Sequence, residues 1–434
     1  MDRHTTGVLD CSVQKFGGVP GKLSLLDLDR PQTVHRCIRG TRENFAERFR
    51  RMLARQFPGW TITGLSSSLD LQRSFSSVFP RARLERGNQR IAALGCPAVE
   101  NEPDLLTFGL VWLDYVRNHS AGGAQTSLCL FLPEGSGKLT AHRLRFLDSA
   151  SVSSRLFLFN EHGSAGEVDP QDLGNLETHV TSLYKPCQPD PRMAALLSRL
   201  SRLHGIGCSP ELGGAISIRH RGLEFARLEG ERILLGIQEQ REVSPCHIEY
   251  VEDFAAQLAA LSNRARPAET DSAPPVFPER WLESSVRTQL TEIDPILLPN
   301  PVHGQVLTFA AGDRDRLDLL AISESGRLSV LELKAEEDIH LPVQALDYWT
   351  RIKWHAERGE LNHLFPGIAI APKAPKLFLI APAMAFHPAN ATILRYFSPE
   401  IEVERAGVNS DWQKRLKVIL RLRGADSPQS HGSS

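Results

Sequence analysis

The 434-residue chain has no apolar run that approaches the length of a membrane-spanning helix, so nothing in it asks for a bilayer. It also lacks a surplus of charge: Lys and Arg total 50 against 51 Asp and Glu, a net charge of −1. That balance counts against a large, non-specific nucleic-acid coat protein, although a local basic groove can coexist with a neutral total. The seven cysteines, at 11, 37, 96, 129, 187, 208 and 246, include no pair at metal-ligand spacing. A zinc ribbon or finger is thereby excluded, and an odd, scattered set fits reduced thiols better than a disulfide framework. The first residues lack the basic-then-apolar order of a signal peptide, so the expected compartment is the cytoplasm. No internal repeat and no heptad array is visible.

What is there is an ordinary globular composition, 41% hydrophobic and 23% charged, in a chain long enough for two or three cores. The Pro-rich stretch Ala265–Pro278 (ARPAETDSAPPVFP) has little to bury and reads as a linker. A weaker break lies at Lys185–Pro191 (KPCQPDP), and the polar end Gly424–Ser434 reads as a disordered tail. The expected map is an α+β N-terminal domain over 1–184 and a small α+β segment over 192–264, packed with the first. The linker 265–277 follows, then an α/β domain over 278–423. In the first domain Arg42–Gln56 and Asp104–Asn118 have helical spacing, while Trp60–Leu65, Leu128–Leu132 and Arg155–Phe159 read as strands. The segment after Lys185–Pro191 reads as a helix at Arg192–Leu203, strands at Ile216–His220, Leu223–Leu228 and Arg232–Ile237, and a helix at Ile248–Ser262.

The last domain is more legible. Pro278–Leu290 reads as a helix, followed by strands at Val302–Phe309, Arg316–Ile322 and Arg327–Leu333, the last two joined by a turn at Glu324–Gly326. Pro342–Arg358 is a helix with proline in its favoured first turn. Lys376–Ile380 is a buried strand, and a short helix near Ala389–Phe397 and a strand at Ile401–Glu404 complete the set. The order is αβββαβ with an extra helix and strand, which places the domain in the α/β class with a central mixed sheet.

Two of those strands carry acids where apolar residues belong: Asp318 in RLDLLAI and Glu332 in RLSVLELK. A carboxylate inside an apolar strand is costly to desolvate unless it is paired or holds a metal. Side chains at i and i+2 of a strand share a face, so Glu332 and Lys334 point the same way. Two carboxylates and a backbone carbonyl suit Mg²⁺, and a lysine beside them can orient or deprotonate water.

The order helix, strand, Asp318, turn, Glu332-Leu333-Lys334, helix resembles the PD-(D/E)XK nuclease superfamily. The resemblance covers about the last third of the chain and departs from the motif in having Leu317 before the aspartate. It implies a restriction-endonuclease-like fold and a Mg²⁺-dependent endonuclease acting on DNA, with Mn²⁺ as a substitute. Asp318 and Glu332 take the metal-ligand positions, with the Leu333 carbonyl as a third ligand, and Lys334 takes the position that activates water. Glu283, in the helix before the first strand, matches an additional acidic ligand. Gln344 and Tyr348 match a Gln-x-x-x-Tyr subgroup, which makes Gln344 a site residue and places Tyr348 with Lys353 near the nucleic acid. The region before 265 is left to select substrate or control access, and a homodimer is compatible with the sequence. Two alternatives stay open: a nucleic-acid-binding or regulatory protein that keeps the fold without turnover, and a nuclease acting on RNA.

Other patterns carry less. The spacings of His303, His340, His355, His363 and His387 fit surface or capping residues better than a metal site. Gly135-Ser136-Gly137-Lys138 lacks the full phosphate-loop pattern. Arg81, Arg83, Arg86 and Arg90 suit a solvated basic face better than a nucleic-acid groove. Trp349 and Trp354 suit a core better than a stacking platform.

Overall fold

A computed structural model describes residues 3–5, 8–16, 19–26, 45–119, 125–171, 191–203, 205–210, 215–221, 223–230, 232–237, 241–244, 249–264, 278–310 and 313–426. The linker 265–277 lies outside them, as do most of the Lys185–Pro191 break and residues 427–434 of the tail. The described chain is mixed α/β and divides into two compact units. One comprises Met1–Ala141 and Val152–Asp172, the other His142–Ser151 and Leu173–Ser434.

The first unit begins with a three-stranded antiparallel sheet, β1 (Arg3–Thr5), β2 (Val8–Phe16) and β3 (Val19–Leu26). Helix α1 (45–56) follows and buries Phe49, Met52 and Leu53, the helically spaced stripe seen in the sequence. A six-stranded sheet is then laid down in chain order: β4 (Thr61–Ser66), β5 (Arg81–Arg86), β6 (Gln89–Gly95), β7 (Gln125–Pro133), β8 (Ser153–Phe159) and β9 (Ala165–Val168). Helix α2 (Glu102–Asn118) joins β6 to β7, and α3 (Lys138–Leu144) joins β7 to β8. The first three strands are antiparallel, β6–β7 and β7–β8 are parallel, and β9 is antiparallel. One sheet face buries Ala82, Leu84, Ile91, Ala93, Cys129, Phe131 and Phe157 against α1.

Strands β5 and β6 escape the sequence reading because Arg81, Arg83, Arg86 and Arg90 mask their period. Arg83 and Arg90 pair with Glu85 at 3.3 and 3.2 Å, and Arg86 lies over the Trp60 ring. The first pair lies along β5 and the second crosses from β6 to β5.

In the second unit α4 (Pro191–Leu200) and α5 (Glu249–Arg264) pack on an antiparallel meander. Its strands are β10 (Ile206–Pro210), β11 (Ile216–His220), β12 (Leu223–Glu229), β13 (Arg232–Leu235) and β14 (Arg241–Val243). The sequence break at Lys185–Pro191 suggested that this segment packs with the first domain; the structure groups it with the last. Helix α6 (Pro278–Thr288) meets β10, and a Cβ added at Gly207 would approach Ser284 Oγ to 2.8 Å.

After the short α7 (Leu290–Ile293) comes a second six-stranded sheet: β15 (His303–Ala310), β16 (Asp313–Ile322), β17 (Leu328–Leu333), β18 (Lys376–Pro382), β19 (Val403–Val408) and β20 (Val418–Arg423). Helix α8 (Leu341–Glu357) joins β17 to β18, and α9 (Ala389–Leu394) joins β18 to β19. The sheet is mixed: antiparallel through β17, parallel through β19, and antiparallel again at β20. Strand β20, which the sequence reading missed, alternates exposed and half-buried residues, an edge pattern too polar to stand out. Leu319, Ala321, Leu331, Leu333, Phe378 and Ile380 form one face and pack against Leu282 and Val286 of α6.

The β16–β17 turn requires its glycine. Gly326 has φ +78°, and a Cβ there would lie 2.1 Å from the Ala369 carbonyl oxygen.

Candidate active site

Strands β16 and β17 pair from Ile322–Leu328 to Leu319–Leu331, and Asp318 and Glu332 each lie one residue beyond the last pair. Leu319, Leu331 and Leu333 belong to the core face that packs on α6, so alternation turns Glu332 to the other face, while Lys334, past the end of β17, reaches Glu279 of α6. The Leu333 N–H donates to Asp318 Oδ2 at 3.0 Å, so this carboxylate takes a strand donor at the point where the ladder ends. Glu332 is 3% exposed, a burial that costs several kcal/mol for an ionised acid unless something compensates it.

The electrostatics of the three groups are linked. Burial pushes the Asp318 carboxyl up to about 7, the Glu283 charge adds to the rise, and the Leu333 N–H and Lys334 oppose it. Burial pulls the Lys334 ammonium down, but Glu332, Glu279, Asp338 and Asp318 outweigh it and raise its pKa. Its Nζ lies 3.6 Å from Asp338 and 3.8 Å from Glu279. In the metal-free protein these carboxylates favour the cationic form of Lys334.

Glu283 is placed differently from expectation. It is buried on α6, and its Oε2 lies 3.8 Å from the buried Arg219 guanidinium of β11. A Cβ at Gly304 would lie 2.9 Å from Glu283 Oε1 and 2.1 Å from Arg287 Nη2, so the glycine admits both side chains. Gly304 pairs with Leu319, the residue after Asp318, in register. The Glu283 charge reaches Asp318, but its ion pair is with an arginine. Among the described residues no group of three or more His, Cys, Asp or Glu converges on a metal position.

Helix α8 supplies the remaining predicted residues. Gln344 is half-buried in its first turns, and its Oε1 is a buried atom without a hydrogen-bond partner among the described residues. Tyr348, one turn on, is buried with the Arg351 guanidinium 5.8 Å from its ring centroid. Lys353 is nine residues from Gln344, on the opposite side of the helix at 100° per residue. It pairs with Glu357 at 2.7 Å and lines a separate cavity of about 450 Å³ with Asn362 and Lys373. Lys353 is therefore not part of this cluster. Trp349 is fully buried, donating its ring N–H to the Pro375 carbonyl at 2.7 Å, and Trp354 carries the Arg358 guanidinium.

No family model matches the chain, and no curated protein matches it.

The discarded motifs receive physical explanations. The Gly137 and Thr140 N–H groups both donate to the Glu102 carboxylate at 2.9 Å, so the glycine-rich turn is closed by the chain's own anion. Burial holds the His303 imidazole down at about 4 while its Nε2 meets the Leu364 carbonyl at 2.7 Å. His355 pairs with Glu360, and His387 lies 3.8 Å from Glu337. Arg219 is the residue near this site that sequence reasoning missed. It sits in a distant segment with no motif, and only tertiary packing brings it to Glu283.

No helix among the described residues is long and apolar enough to cross a membrane.

Proposed function

We propose that the second unit is a Mg²⁺-dependent nuclease of the PD-(D/E)XK type, with a restriction-endonuclease-like fold, hydrolysing phosphodiester bonds in DNA. The observation that supports this most is the meeting of Asp318 with the Glu332-Leu333-Lys334 segment at the adjoining ends of β16 and β17, where the Leu333 N–H donates to the Asp318 carboxylate. The donor set fits the metal. Mg²⁺ binds through one or two carboxylates and keeps several waters, so a two-acid site is sufficient. The orphaned Gln344 Oε1 is a further oxygen acceptor at the start of α8.

Asp318 and Glu332 would hold the metal, with the Leu333 carbonyl as third protein ligand, while the Leu333 side chain stays in the core. Bound Mg²⁺ supplies charge neutralisation at the phosphate and acidifies its water. Lys334, kept protonated by four carboxylates, positions water and offsets the charge that develops on the phosphate. The Gln344 amide is a candidate for orienting the same water. Mn²⁺ would substitute through the same oxygens, and the first unit would act on substrate selection or access.

The test is cleavage of end-labelled single-stranded, duplex and branched DNA, with RNA alongside, by the full chain in Mg²⁺, Mn²⁺ or EDTA. Cutting of DNA that needs metal and disappears in Glu332→Gln is the expected result. Absence of cleavage on every DNA in both metals would sink the reading, and cutting of RNA alone would move the substrate class.

A further inference from the structure

The two six-stranded sheets share more than a class. Each is preceded by a helix and places its strands in strict chain order with the same senses: two antiparallel pairings, two parallel and one antiparallel. The connection between third and fourth strands is in both cases a 17-residue helix with proline at its second position, Pro103 in α2 and Pro342 in α8. A short helix, α3 or α9, joins the fourth strand to the fifth in each.

Backbone hydrogen bonds align the two residue by residue. The N–H after the third strand reaches the fourth: Cys96 to the Phe131 carbonyl at 2.8 Å, Lys334 to the Ile380 carbonyl at 2.9 Å. Both fourth strands end in proline, Pro133 and Pro382. The N–H that follows again reaches the fifth strand: Glu134 to the Phe159 carbonyl at 2.8 Å, Ala383 to the Val408 carbonyl at 2.9 Å. The short helices end on related sequences, Leu144-Arg145-Phe146-Leu147 and Leu394-Arg395-Tyr396-Phe397.

From the Cys96–Lys334 match the sheet register carries the comparison to the site. Leu94 stands where Glu332 does, and its partner Arg81 stands where Asp318 does. Counting from the helix prolines, Leu105 stands for Gln344 and Gly109 for Tyr348. All five positions have changed. Leu94, Cys96 and Leu105 are fully or almost fully buried apolar groups.

Arg81 does not leave an opening. Its guanidinium donates to the Ser68 carbonyl at 2.8 Å and to the Ser76 carbonyl at 3.4 Å, and lies 4.4 Å from the Phe75 ring centroid. Phe75 in turn packs edge-on against Trp112 and Tyr115 of α2, at 5.5 and 5.2 Å. The connection 67–80 between β4 and β5 is thus pinned over the position, whereas β15 and β16 are joined through residues 311–312 alone.

We infer that the chain carries one fold twice, and that the first unit is a non-catalytic copy in which Arg81, Leu94 and Cys96 replace the acid, acid and lysine and the 67–80 connection plugs the site. The duplication stands on topology and register; the term non-catalytic rests on the nuclease reading of the second copy. Apolar strands of one pattern can be filled by many residue combinations, so the fold outlasts the identities.

The experiment is a crystal structure of the full chain soaked in MnCl₂, with anomalous data, and a Mn²⁺ titration of wild type and Asp318→Asn in solution. The expected result is strand-by-strand superposition of the two sheets with Arg81 on Asp318, one manganese at Asp318 and Glu332, and no stoichiometric Mn²⁺ binding in Asp318→Asn. A different strand order in the first sheet would overturn the duplication. Manganese bound in the first sheet, or one Mn²⁺ retained per Asp318→Asn chain, would overturn its retirement. Superposition with manganese at neither sheet upholds the duplication and removes the nuclease reading.

Discussion

The first sheet places Arg81 and Leu94 at the register positions where the second places Asp318 and Glu332, and that pair of solutions is an internal control. The first shows that the architecture closes with apolar residues at the third-strand positions and a fully engaged arginine across from them. The carboxylates of the second sheet are therefore not demanded by the fold. The second sheet buries an acid at Glu332 where the first buries Leu94, and the first buries the charge of Arg81, engaged by backbone carbonyls, across from it. A similar contrast holds in the helices: α8 buries Asp347 in an ion pair with Arg143 at 2.7 Å, where α2 carries Phe108.

The sharpest way to break the comparison is to remove the charges. Lys334→Ala keeps both carboxylates, so Mn²⁺ binding should survive while single-turnover cleavage falls by about 10²–10⁴-fold. Glu332→Gln should lose metal binding and cleavage together. A Lys334→Ala enzyme that cuts at the wild-type rate in saturating metal would end the role given to that side chain.

Next in size is the Arg143–Asp347 pair, whose side chains are 3% and 8% exposed. Removing one partner of a buried pair costs about 3–5 kcal/mol because the other charge is stranded. Asp347→Ala should lower the denaturation midpoint of the second unit by a corresponding amount. A loss below 1 kcal/mol, on the order expected of a surface pair, would show that water reaches the site.

The hairpin turns give a smaller, paired test. Gly326 has φ +78° with the Ala369 carbonyl against it, while Gly87, in the turn between β5 and β6, has φ +57° and open space. Both Gly→Ala changes meet the left-handed backbone penalty of roughly 1–3 kcal/mol, and only Gly326→Ala adds a clash. Chemical denaturation should therefore rank Gly326→Ala as the more damaging; equal losses would mean that the 369–371 backbone yields.

The mildest effect is on pH. With its pKa raised from 3.8 to about 7, Asp318 is protonated in the folded, metal-free protein at pH values where the unfolded chain has lost that proton. Its contribution to stability is thus full below about 4 and is lost as pH rises through about 7. Because Mg²⁺ must displace the proton, affinity should tighten by up to ~10-fold per pH unit below 7 and level off above it. Calorimetry between pH 5.5 and 8.5 measures this, and a flat profile in the wild type would contradict the raised pKa. No such slope is expected from the first sheet, which has Arg81 at the matching position.

The second sheet was legible from sequence wherever apolar period and turn chemistry agreed. Strands Leu328–Leu333 and Lys376–Pro382, and helix Leu341–Glu357 with Pro342 in its first turn, lie within a few residues of their expected bounds. Asp318 and Glu332 stood out because acids interrupt apolar strands. Strands β5 and β6 did not, because a strand reading RARLER hides its period behind arginines. The arginine partner of Glu283 was not legible for a related reason. Helix position alone cannot say whether an acid meets a metal or an arginine, and Arg219 comes from a strand 64 residues earlier in the chain.

By itself the sequence determined the local terms: which segments are helix or strand, where the turns fall, and that the acids Asp318 and Glu332 interrupt apolar strands. Those follow from side-chain period, glycine and proline conformation, and the cost of burying charge, all of which act within a few residues. Only the tertiary structure decided the long-range terms. Strand pairing brought the Leu333 N–H to Asp318, packing gave Glu283 to Arg219 and turned Lys353 to Glu357, and strand order revealed a second sheet of the same design without the acids. Such pairings depend on which faces close on which, and residues far apart in the chain carry no local mark of the neighbour they will meet.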